Sequence, residues 1–334
     1  MRRIIVLIAL IGIYNLSFAQ CVKGVVLNKK TNEKICFATI YFNSTFTGTT
    51  SDEDGNFSLK VPKGVNMPLV VSSIGYYSVT VPKYNQEDTL VIRLTPKDYE
   101  IEEVSVRGKS LVRKKKAYLR IFRNQFLGET RNGVRCEITN EKDISFNYNS
   151  CSDTLKAFAS KPIEIVNKAL GYRIIYYLDR FEYYRQTQSF LYVGHIIFKE
   201  DLATKGDKSG EYLQARKDTY IGSRMHFFRA LWKNDLERNG FSVRDEFGSK
   251  LRYEKYVHKY ASKYLGSNDG IMKYMSYPKQ LSVFHFAKVS TMEFTEPKVY
   301  FDERGYFDIG LFWEGEMSDK RVGDTLPFEF ILAG

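Results

Sequence analysis

The chain has 334 residues, which is long enough for two domains, and its 43% hydrophobic and 27% charged residues are the composition of a globular protein. Aromatic residues are frequent at 15%, and an abundance of tyrosine and phenylalanine favours sheets. The net charge is +11, and the positive residues concentrate at 113–123 and 216–233. Basic patches can bind nucleic acid, but we interpret these as solvated faces and predict no nucleic-acid partner.

The first 19 residues are predicted to be a signal peptide. Two arginines precede an apolar run from Ile4 to Ile13, and Ser17-Phe18-Ala19 has the small-x-small pattern of a cleavage site. We expect a mature chain that starts at Gln20 and an exported protein in the periplasm or associated with the outer membrane. The apolar run is too short to span a bilayer, and no later run reaches a spanning length.

Export would place the four cysteines in a compartment that permits disulfides. Cys136 and Cys151 flank a predicted strand, and a bridge between them is one alternative. Antiparallel pairing of the first two predicted strands would put Cys21 near Phe42 and far from Cys36, so we expect no bridge there. Lipidation of Cys21 stays open, although the residue before it is larger than lipoprotein cleavage prefers. No C-x-x-C spacing occurs, so the cysteines predict no metal site.

Short segments with the alternation of β-strands fill the N-terminal quarter of the chain. They are Val22–Leu27, Ala38–Phe42, Asn56–Val61, Leu69–Val71, Tyr77–Val81 and Thr89–Leu94. In the third of them, Phe57, Leu59 and Val61 share one face, and Ser58 lies on the other. Short strands at regular spacing indicate a β-sandwich.

The acidic run Asp52-Glu53-Asp54 between two of these strands invites a calcium interpretation. An EF-hand loop would need further oxygen ligands that end in a glutamate at position twelve, but this segment turns directly into a strand. Gly55 can supply the positive φ of a hairpin turn, and Asp54 can bond its own backbone. We therefore predict a structural turn here and a backbone role of the same kind for Gly75.

Several motifs in residues 21–106 form a recognisable combination. They are Gly24-Val25-Val26, Phe37-Ala38-Thr39-Ile40, Asp52-x-Asp54-Gly55-Asn56-Phe57-Ser58-Leu59, Ile74-Gly75-Tyr76, Leu94-Thr95-Pro96 and Glu103-Val104-Ser105-Val106. Together they resemble the carboxypeptidase-like regulatory domain, a small transthyretin-like β-sandwich. The resemblance implies a seven-stranded Greek-key-like sandwich that acts as a binding or spacer module and supplies no catalytic residues. The same module precedes the plug of starch-utilisation-type TonB-dependent receptors, but we expect no plug or barrel here, so receptor function is not implied.

A basic amphipathic helix is predicted from Arg113 to Gly128, after a linker that starts at residue 107. Tyr118, Leu119, Phe122 and Phe126 recur at helical spacing, and basic residues occupy the other face. The final glycine is suited to a helix C-cap. Such a helix could lie on an acidic membrane, so peripheral membrane contact is an alternative. We favour a surface helix that packs through its aromatic stripe.

Residues 129–334 are predicted to form a β-rich α+β domain with a few helices. The candidate strands are Ile144–Tyr148, Leu155–Ala159, Ile163–Val166, Tyr172–Leu178, Phe181–Arg185 and Phe190–Phe198. Three further motifs, Asn167–Ile174, Tyr220–Leu231 and Arg321–Pro327, resemble an uncharacterised family of exported Bacteroidota proteins that also begin with the regulatory domain. That resemblance implies architecture and no activity.

One helix of this domain is predicted from Ser223 to Arg238, with its first residue as N-cap and a glycine after its end. Arg224, His226, Arg229 and Lys233 could cluster on its polar side as an anion site. The simpler interpretation is a solvated face, because any surface helix needs polar residues.

Tyrosines crowd residues 172–192. Strand alternation would place Tyr172 and Tyr176 on one face and Tyr177 on the other. Aromatic ring faces can stack on sugars, so Tyr172 and Tyr176 are candidates for a glycan-binding face. The competing interpretation makes one of the two faces core.

Catalytic motifs are missing from the sequence. The four histidines, His195, His226, His258 and His285, form neither H-x-x-E nor H-E-x-x-H, and no G-x-S-x-G, P-loop or dinucleotide fingerprint occurs. His195 lies in an alternating run and is interpreted as a half-buried strand residue. Asp179 and Glu182 are interpreted as turn residues. We therefore expect no catalytic residues, no cofactor and no metal.

The predicted fold class is mainly β with an α+β C-terminal part: a sandwich at 20–106, a linker and helix at 107–128, and the β-rich domain at 129–334. We expect a non-enzymatic binding or scaffolding protein of the cell envelope, with an envelope protein or a glycan as its ligand. The alternative is a hydrolase that acts on polysaccharide or peptide and carries the sandwich as an accessory. Carboxylates or histidines of perturbed pKa in a cleft would favour the enzyme, whereas a flat aromatic or basic face would favour binding.

Overall fold

The structure of the chain is a computed structural model that describes residues 21–62, 67–84, 88–97, 109–204, 208–261 and 271–332. The predicted signal peptide and the Glu103–Val106 motif lie outside the described residues.

The N-terminal part is a sandwich of two sheets. Its strands are β1 (Cys21–Asn28), β2 (Thr39–Phe42), β3 (Gly48–Thr50), β4 (Asn56–Lys60), β5 (Leu69–Ser72), β6 (Val79–Val81) and β7 (Thr89–Leu94). One sheet has the order β4-β1-β7 and the other β3-β2-β5-β6. The predicted β-sandwich is therefore confirmed. Sequence reasoning missed only β3 among these strands, because its Gly-Thr-Thr carries no apolar alternation.

The predicted hairpin between the first two strands is wrong. β1 pairs antiparallel with β4, where Cys21 faces Lys60, and parallel with β7. β2 belongs to the opposite sheet, so the buried faces of β1 and β2 meet across the core. All four cysteines are free. The bridge considered for Cys136 does not form, because Cys136 pairs with Asn167 while Cys151 lies in the turn after another strand.

The alternation predicted for β4 is confirmed. Phe57 and Leu59 are buried and Ser58 is exposed. The Phe57 ring lies against Gly24 of β1, where an added Cβ would come within 2.7 Å of the ring. These residues form the sandwich core with the inward side chains of the other strands.

The turn before β4 forms as predicted but with a different aspartate. Gly55 has a φ of 73°. The carboxylate of Asp52, and not that of Asp54, accepts the backbone N–H groups of Asp54 at 3.0 Å and Asn56 at 2.8 Å. Asp54 instead pairs with Lys34 on the surface. The cluster is therefore a turn whose acidic groups satisfy local donors.

Helix α1 (Lys109–Leu127) confirms the predicted amphipathic helix, which starts four residues earlier than expected. Phe122 and Phe126 are fully buried, the basic residues 113–116 are exposed, and Gly128 ends the helix with a φ of 93°. The aromatic stripe is therefore a packing surface.

A six-stranded antiparallel sheet follows this helix. Its strands are β8 (Cys136–Ile138), β9 (Ile144–Asn149), β10 (Thr154–Ala159), β11 (Ile163–Asn167), β12 (Tyr172–Tyr184) and β13 (Ser189–Asp201). The order is β8-β11-β12-β10-β9, with β13 on the other side of β12.

Two strands predicted on either side of Asp179 are one long strand, β12. A register shift between Leu178 and Arg180 leaves Asp179 as an extra residue opposite β13. Glu182 also lies within the strand, where it is buried and paired with Arg180 at 2.8 Å. The prediction that Asp179 and Glu182 are turn residues is therefore wrong.

The C-terminal part contains two smaller sheets and three helices among the described residues. The helices are α2 (Ser209–Tyr220), α3 (Arg224–Lys233) and α4 (Glu316–Asp319). One sheet has the order β14-β17-β18-β20, with strands Phe241–Arg244, Gln280–His285, Lys288–Phe294 and Leu311–Gly315. The other has the order β15-β16-β19, with strands Val257–Ala261, Ile271–Met275 and Val299–Phe301.

Helix α3 confirms the predicted N-cap but ends earlier than predicted. The Ser223 hydroxyl accepts the His226 backbone N–H at 3.1 Å. Asn234, with a φ of 54°, ends the helix by a left-handed cap, so Leu236 lies beyond it. Helix α2 was not predicted, because its apolar residues show almost no helical periodicity.

The sandwich packs directly on the six-stranded sheet. Tyr41 points away from the sandwich core, yet it is fully buried because its ring stacks on Tyr177 of β12 with centroids 5.7 Å apart. The Tyr177 hydroxyl donates to Thr39 Oγ1 at 2.8 Å. Lys97 binds Asp179 at 3.3 Å and donates to the Leu178 carbonyl at 2.7 Å. The bulge in β12 thus meets the end of the sandwich.

Asp302 makes the stability of the fold sensitive to pH. Its Oδ1 accepts the backbone N–H groups of Arg304 and Tyr306, and its buried Oδ2 has no hydrogen-bond partner among the described residues. Burial raises the pKa of this carboxyl to about 6. Because the folded state holds the proton more tightly than the unfolded state, this group's contribution to stability is present below about pH 4 and is lost as the pH rises through 6.

We expect Asp302→Asn to abolish the loss of stability that deprotonation of Asp302 causes, while the side-chain oxygen of the introduced asparagine keeps the two hydrogen bonds of Oδ1. The free energy of unfolding of the variant minus that of the natural protein should increase by roughly 2–3 kcal/mol when the pH is raised from 4 to 7. Urea titrations of both proteins at the two pH values measure this change. A difference between the proteins that does not vary with pH would contradict the assignment.

Candidate functional site

A cavity of about 460 Å³ lies where the sandwich, the six-stranded sheet, helix α3 and the C-terminal segment meet. The sandwich contributes Asn43 and Ser44, and β13 contributes Leu191 to Gly194. The residues that follow β19 and residues 320–328 close the other sides. The cavity is large enough for a small ligand or a few residues of peptide.

No other strand of the described residues pairs with the β13 edge that borders this cavity, and the sandwich covers only the far end of that edge. Ile196 N–H donates to Asn43 Oδ1 at 2.8 Å, and its carbonyl accepts from Ser44 N–H at 2.8 Å. The Phe198 N–H donates to the Thr45 carbonyl at 2.9 Å. The chain itself therefore adds a short extended segment to this edge.

Arg224 faces the cavity from the first turn of α3, where the Ser223 cap fixes the start of the helix. Its guanidinium donates once, to the Lys320 carbonyl at 3.1 Å. It forms no ion pair with any described carboxylate, and burial lowers its pKa. Since a guanidinium carries five N–H groups, Arg224 has donors to spare for a ligand.

Arg321 brings a second guanidinium to the same wall. It stacks over the Phe190 ring at 4.0 Å, and its Nη1 donates to the carbonyls of Asn124 and Gln125. Its buried Nε has no hydrogen-bond partner in the described part of the chain, and no described carboxylate pairs with it. Arg321 thus adds positive charge at the Phe190 end of β13.

Tyr192 lines the cavity together with both arginines. Burial raises the pKa of its hydroxyl, and Asp324 acts in the same direction. Arg224 and Arg321 act in the opposite direction because positive charge favours the phenolate. The Phe190 and Tyr192 rings stack with centroids 6.0 Å apart. Two guanidinium groups and a phenol therefore line the same cavity.

The other charged side chains discussed in the cavity lining form hydrogen bonds with protein groups. Asp324 accepts from Thr130 at 2.8 Å and from Asn132 at 2.8 Å. Asp308 accepts from the Tyr306 hydroxyl at 2.8 Å, and burial raises the pKa of its carboxyl. Lys320 donates to the carbonyls of Thr219 and Ile221, and burial lowers its pKa to about 8. The charge that stays available to a ligand is positive.

The predicted tyrosine face does not exist as an open surface. Tyr172 and Tyr176 share a face of β12 as predicted, but that face is core, and they are 1% and 3% exposed. The Tyr176 ring packs edge-on against Phe126 of α1. Tyr177, on the other face, is covered by the sandwich. Because a second element packs on each face, neither offers a ring to a sugar.

The four members of the predicted anion cluster on α3 lie in different environments. Arg224 lines the cavity, but His226 is buried and accepts Gly222 N–H at its Nδ1 while its Nε2 bonds Asn239. Burial lowers the pKa of His226. Arg229 donates to the carbonyls of Arg304, Phe328 and Phe330. Lys233, the fourth predicted member, is exposed at the end of α3 and lines a different cavity. Of the predicted group, only Arg224 therefore faces this cavity.

His195 and Asp179 form a polar contact between the sandwich and the sheet. His195 Nδ1 lies 3.5 Å from Asp179 Oδ2, and its Nε2 lies 3.3 Å from the Thr80 hydroxyl. Asp179 also accepts from Ser78 N–H, and it pairs with Lys97. Burial acts to raise the pKa of Asp179, but His195 and Lys97 outweigh it and the pKa is lowered. The side chains hold the two parts of the protein together.

Three motifs that stood out in the sequence meet beside the cavity. Asn167 of the first donates through its side chain to the Gly323 carbonyl at 2.8 Å, and it anchors the segment that carries Arg321. Arg224 comes from the second motif, and Arg321 from the third. Sequence reasoning did not assign Arg321 or Tyr192 to a site, because only folding brings them to Arg224. No group of three or more potential metal-ligating side chains occurs among the described residues.

The two-sheet sandwich defines the first part of the chain as a small β-sandwich module of the regulatory type. Residues 22–106 match the family model of the CarboxypepD_reg-like domain. No curated protein matches the chain. Among the described helices, none has the length and apolar character needed to cross a membrane.

Proposed function

We propose that the protein is a non-enzymatic binding protein of the cell envelope that holds an anionic ligand in the cavity between its sandwich and its C-terminal part. The observation that carries the proposal is the pair of guanidinium groups, Arg224 and Arg321, that face one cavity without a described carboxylate partner. Partly buried positive charge without a counter-ion is unfavourable, so a bound anion would stabilise the folded protein. The envelope location rests on the predicted signal peptide.

Ligands of this class include acidic glycans and the carboxylates of envelope proteins. The sandwich supplies a wall of the cavity through Asn43 and Ser44, which agrees with a module that helps to bind and does not catalyse. Direct packing of the sandwich on the sheet would fix the shape of the cavity before a ligand arrives.

The test is thermal stabilisation by a panel of defined anions: acetate, inorganic phosphate, phosphate monoesters, galacturonate oligomers and short peptides. At about 100 times its dissociation constant, a ligand should stabilise the protein by about 2.7 kcal/mol. Arg224→Gln should weaken binding roughly 10- to 100-fold, because a hydrogen bond to a charged group contributes about 1.5–3 kcal/mol.

Arg238→Gln is the matched control, because it removes the same charge from a side chain that is 88% exposed and lies outside this cavity. It should leave binding unchanged. Equal losses in the two variants would show that general charge, and not this site, attracts the anion. Stabilisation by none of the anions would refute the proposed function.

Hydrolysis is the second candidate, and Asp308 is the observation that favours it. Its carboxyl lines the same cavity with a raised pKa, as a general acid requires. Incubation of each stabilising compound with the protein, followed by mass spectrometry, distinguishes the two functions. Products that disappear in Asp308→Asn would establish the hydrolase, whereas intact ligand after long incubation supports binding alone.

A further inference from the structure

The open part of the β13 edge lies inside the cavity. In an antiparallel pair, successive residues point their N–H and C=O groups alternately towards the partner strand and away from it. Ile196 points both groups away from β12, since they bond Asn43 and Ser44. By the same alternation, Gly194 and Tyr192 also point their backbone groups away from β12. No described backbone group outside the sheet bonds these two residues.

The cavity therefore has one wall that is complementary to an extended backbone. Its spacing of donors and acceptors is that of a strand, about 3.3 Å per residue. The sandwich segment at Ser44 and Thr45 already occupies the continuation of this edge. An incoming strand would continue along β13 from the point where that segment stops.

Apolar side chains border the open edge. Leu191 and Val193 are exposed on β13, and Ile309, across the cavity, is 90% exposed. Phe307 also lines this region. In strand addition, main-chain hydrogen bonds supply affinity, and pockets for alternate side chains supply specificity. These four side chains offer apolar contacts of that kind.

The positive charge lies at one end of the open edge. Arg321 stacks on Phe190, and both arginines line the same cavity as Tyr192, which is two residues along the strand. A chain that pairs with the edge and stops there would bring its terminal carboxylate to the arginines. Arg224 has the unused donors to bind it.

We propose that the cavity binds the C-terminal end of an extended peptide, which adds as a strand to β13 and places its terminal carboxylate on Arg224. The inference rests on the proposed anion-binding function and names its ligand class. The partner is a polypeptide with a free C-terminus and apolar residues near that terminus.

The probe is a set of fluorescein-labelled randomised pentapeptide pools, each with one fixed C-terminal residue, as free acids and as C-terminal amides. Fluorescence anisotropy with the full chain should show binding of free-acid pools with apolar C-terminal residues. Amidation should weaken binding by at least about tenfold, because it removes the charged acceptor. Arg224→Gln should abolish the difference between acid and amide, and Arg238→Gln should preserve it.

Two further measurements distinguish strand addition from simple attraction of charge. N-methylation of single residues in the best peptide should weaken binding at alternate positions, since only every second N–H faces β13. Hydrogen exchange at the Tyr192 and Gly194 amides should slow by about tenfold or more when the peptide binds. Uniform effects of N-methylation, or unchanged exchange at both amides, would overturn the inference.

The outcomes separate this inference from the function it rests on. If no peptide pool binds but acetate, phosphate esters or galacturonate bind in a way that depends on Arg224, the proposed anion site is supported and the proposed peptide ligand is refuted. If amidated peptides with an acidic side chain bind as well as free acids, the proposal that Arg224 binds a terminal carboxylate is refuted. If no anion of any kind binds, both proposals fall.

Discussion

Phe57→Ala is expected to destabilise the sandwich by about 3–5 kcal/mol, because it empties a core position that the surrounding strands cannot refill. The ring is 6% exposed and rests on Gly24, whose lack of a side chain makes the space for it. The loss is comparable with the whole stability of a small domain. Leu59→Ala, on the same face of β4, should be similarly severe.

Ser58→Ala is the control within the same strand. Its side chain points to solvent, so its effect should be within about 0.5 kcal/mol. Both tryptophans, Trp232 and Trp313, belong to the C-terminal core, so their fluorescence does not report on the sandwich. Hydrogen exchange of the β1 and β4 amides in urea is the suitable measurement. Equal, mild effects at the three positions would contradict the assigned core.

Arg216→Gln should destabilise the central part of the protein by about 3–5 kcal/mol, because it removes the buried member of the ion pair with Asp201 and the guanidinium donor to the Leu170 carbonyl. Arg216 is buried in α2, where it bonds Asp201 at 2.7 Å and the carbonyls of Leu170 and Gly171. Its guanidinium also lies 3.8 Å from the centroid of the Tyr172 ring. One side chain thus joins α2 to the β11–β12 turn and to the end of β13.

Arg173→Gln provides the matched control on the same sheet. Arg173 pairs with Glu200 at 2.9 Å, but its side chain is 54% exposed. A surface ion pair contributes about 0–1 kcal/mol, so this variant should unfold close to the natural protein. Urea unfolding followed by far-UV circular dichroism compares the two. A loss at Arg173 as large as that at Arg216 would mean that burial does not decide the effect.

Local periodicity was sufficient for the parts of the fold that depend on one buried face. The period of two in β4 selected Phe57 and Leu59, and the helical spacing in α1 selected Phe122 and Phe126. The glycine at the end of α1 was also readable, because a positive φ there favours a residue without a side chain. Such signals lie within a few residues of each other, so no tertiary information is needed.

The pairing of strands could not be predicted from local sequence patterns in the same way. The alternation of β1 and β2 is satisfied equally by a hairpin and by two sheets that face each other, and only the packed sandwich distinguishes them. Asp179 was predicted to be a turn residue because polar residues favour turns. In the structure it forms a bulge in β12 and pairs with Lys97 of the sandwich. Long-range pairing therefore overrode local preference at both places.

The sequence by itself determined the regulatory-type sandwich, its core residues and the amphipathic helix, because each follows from short-range pattern. Only the tertiary structure decided the site. It covered Tyr176 with α1 and Tyr172 with Arg216 of α2, and it used His226 and Arg229 for packing. It also brought Arg321 to Arg224 beside the open edge of β13. Side chains that are far apart in the sequence come together through tertiary contacts. Local periodicity does not predict these contacts, because burial and charge pairing depend on how the helices and strands pack.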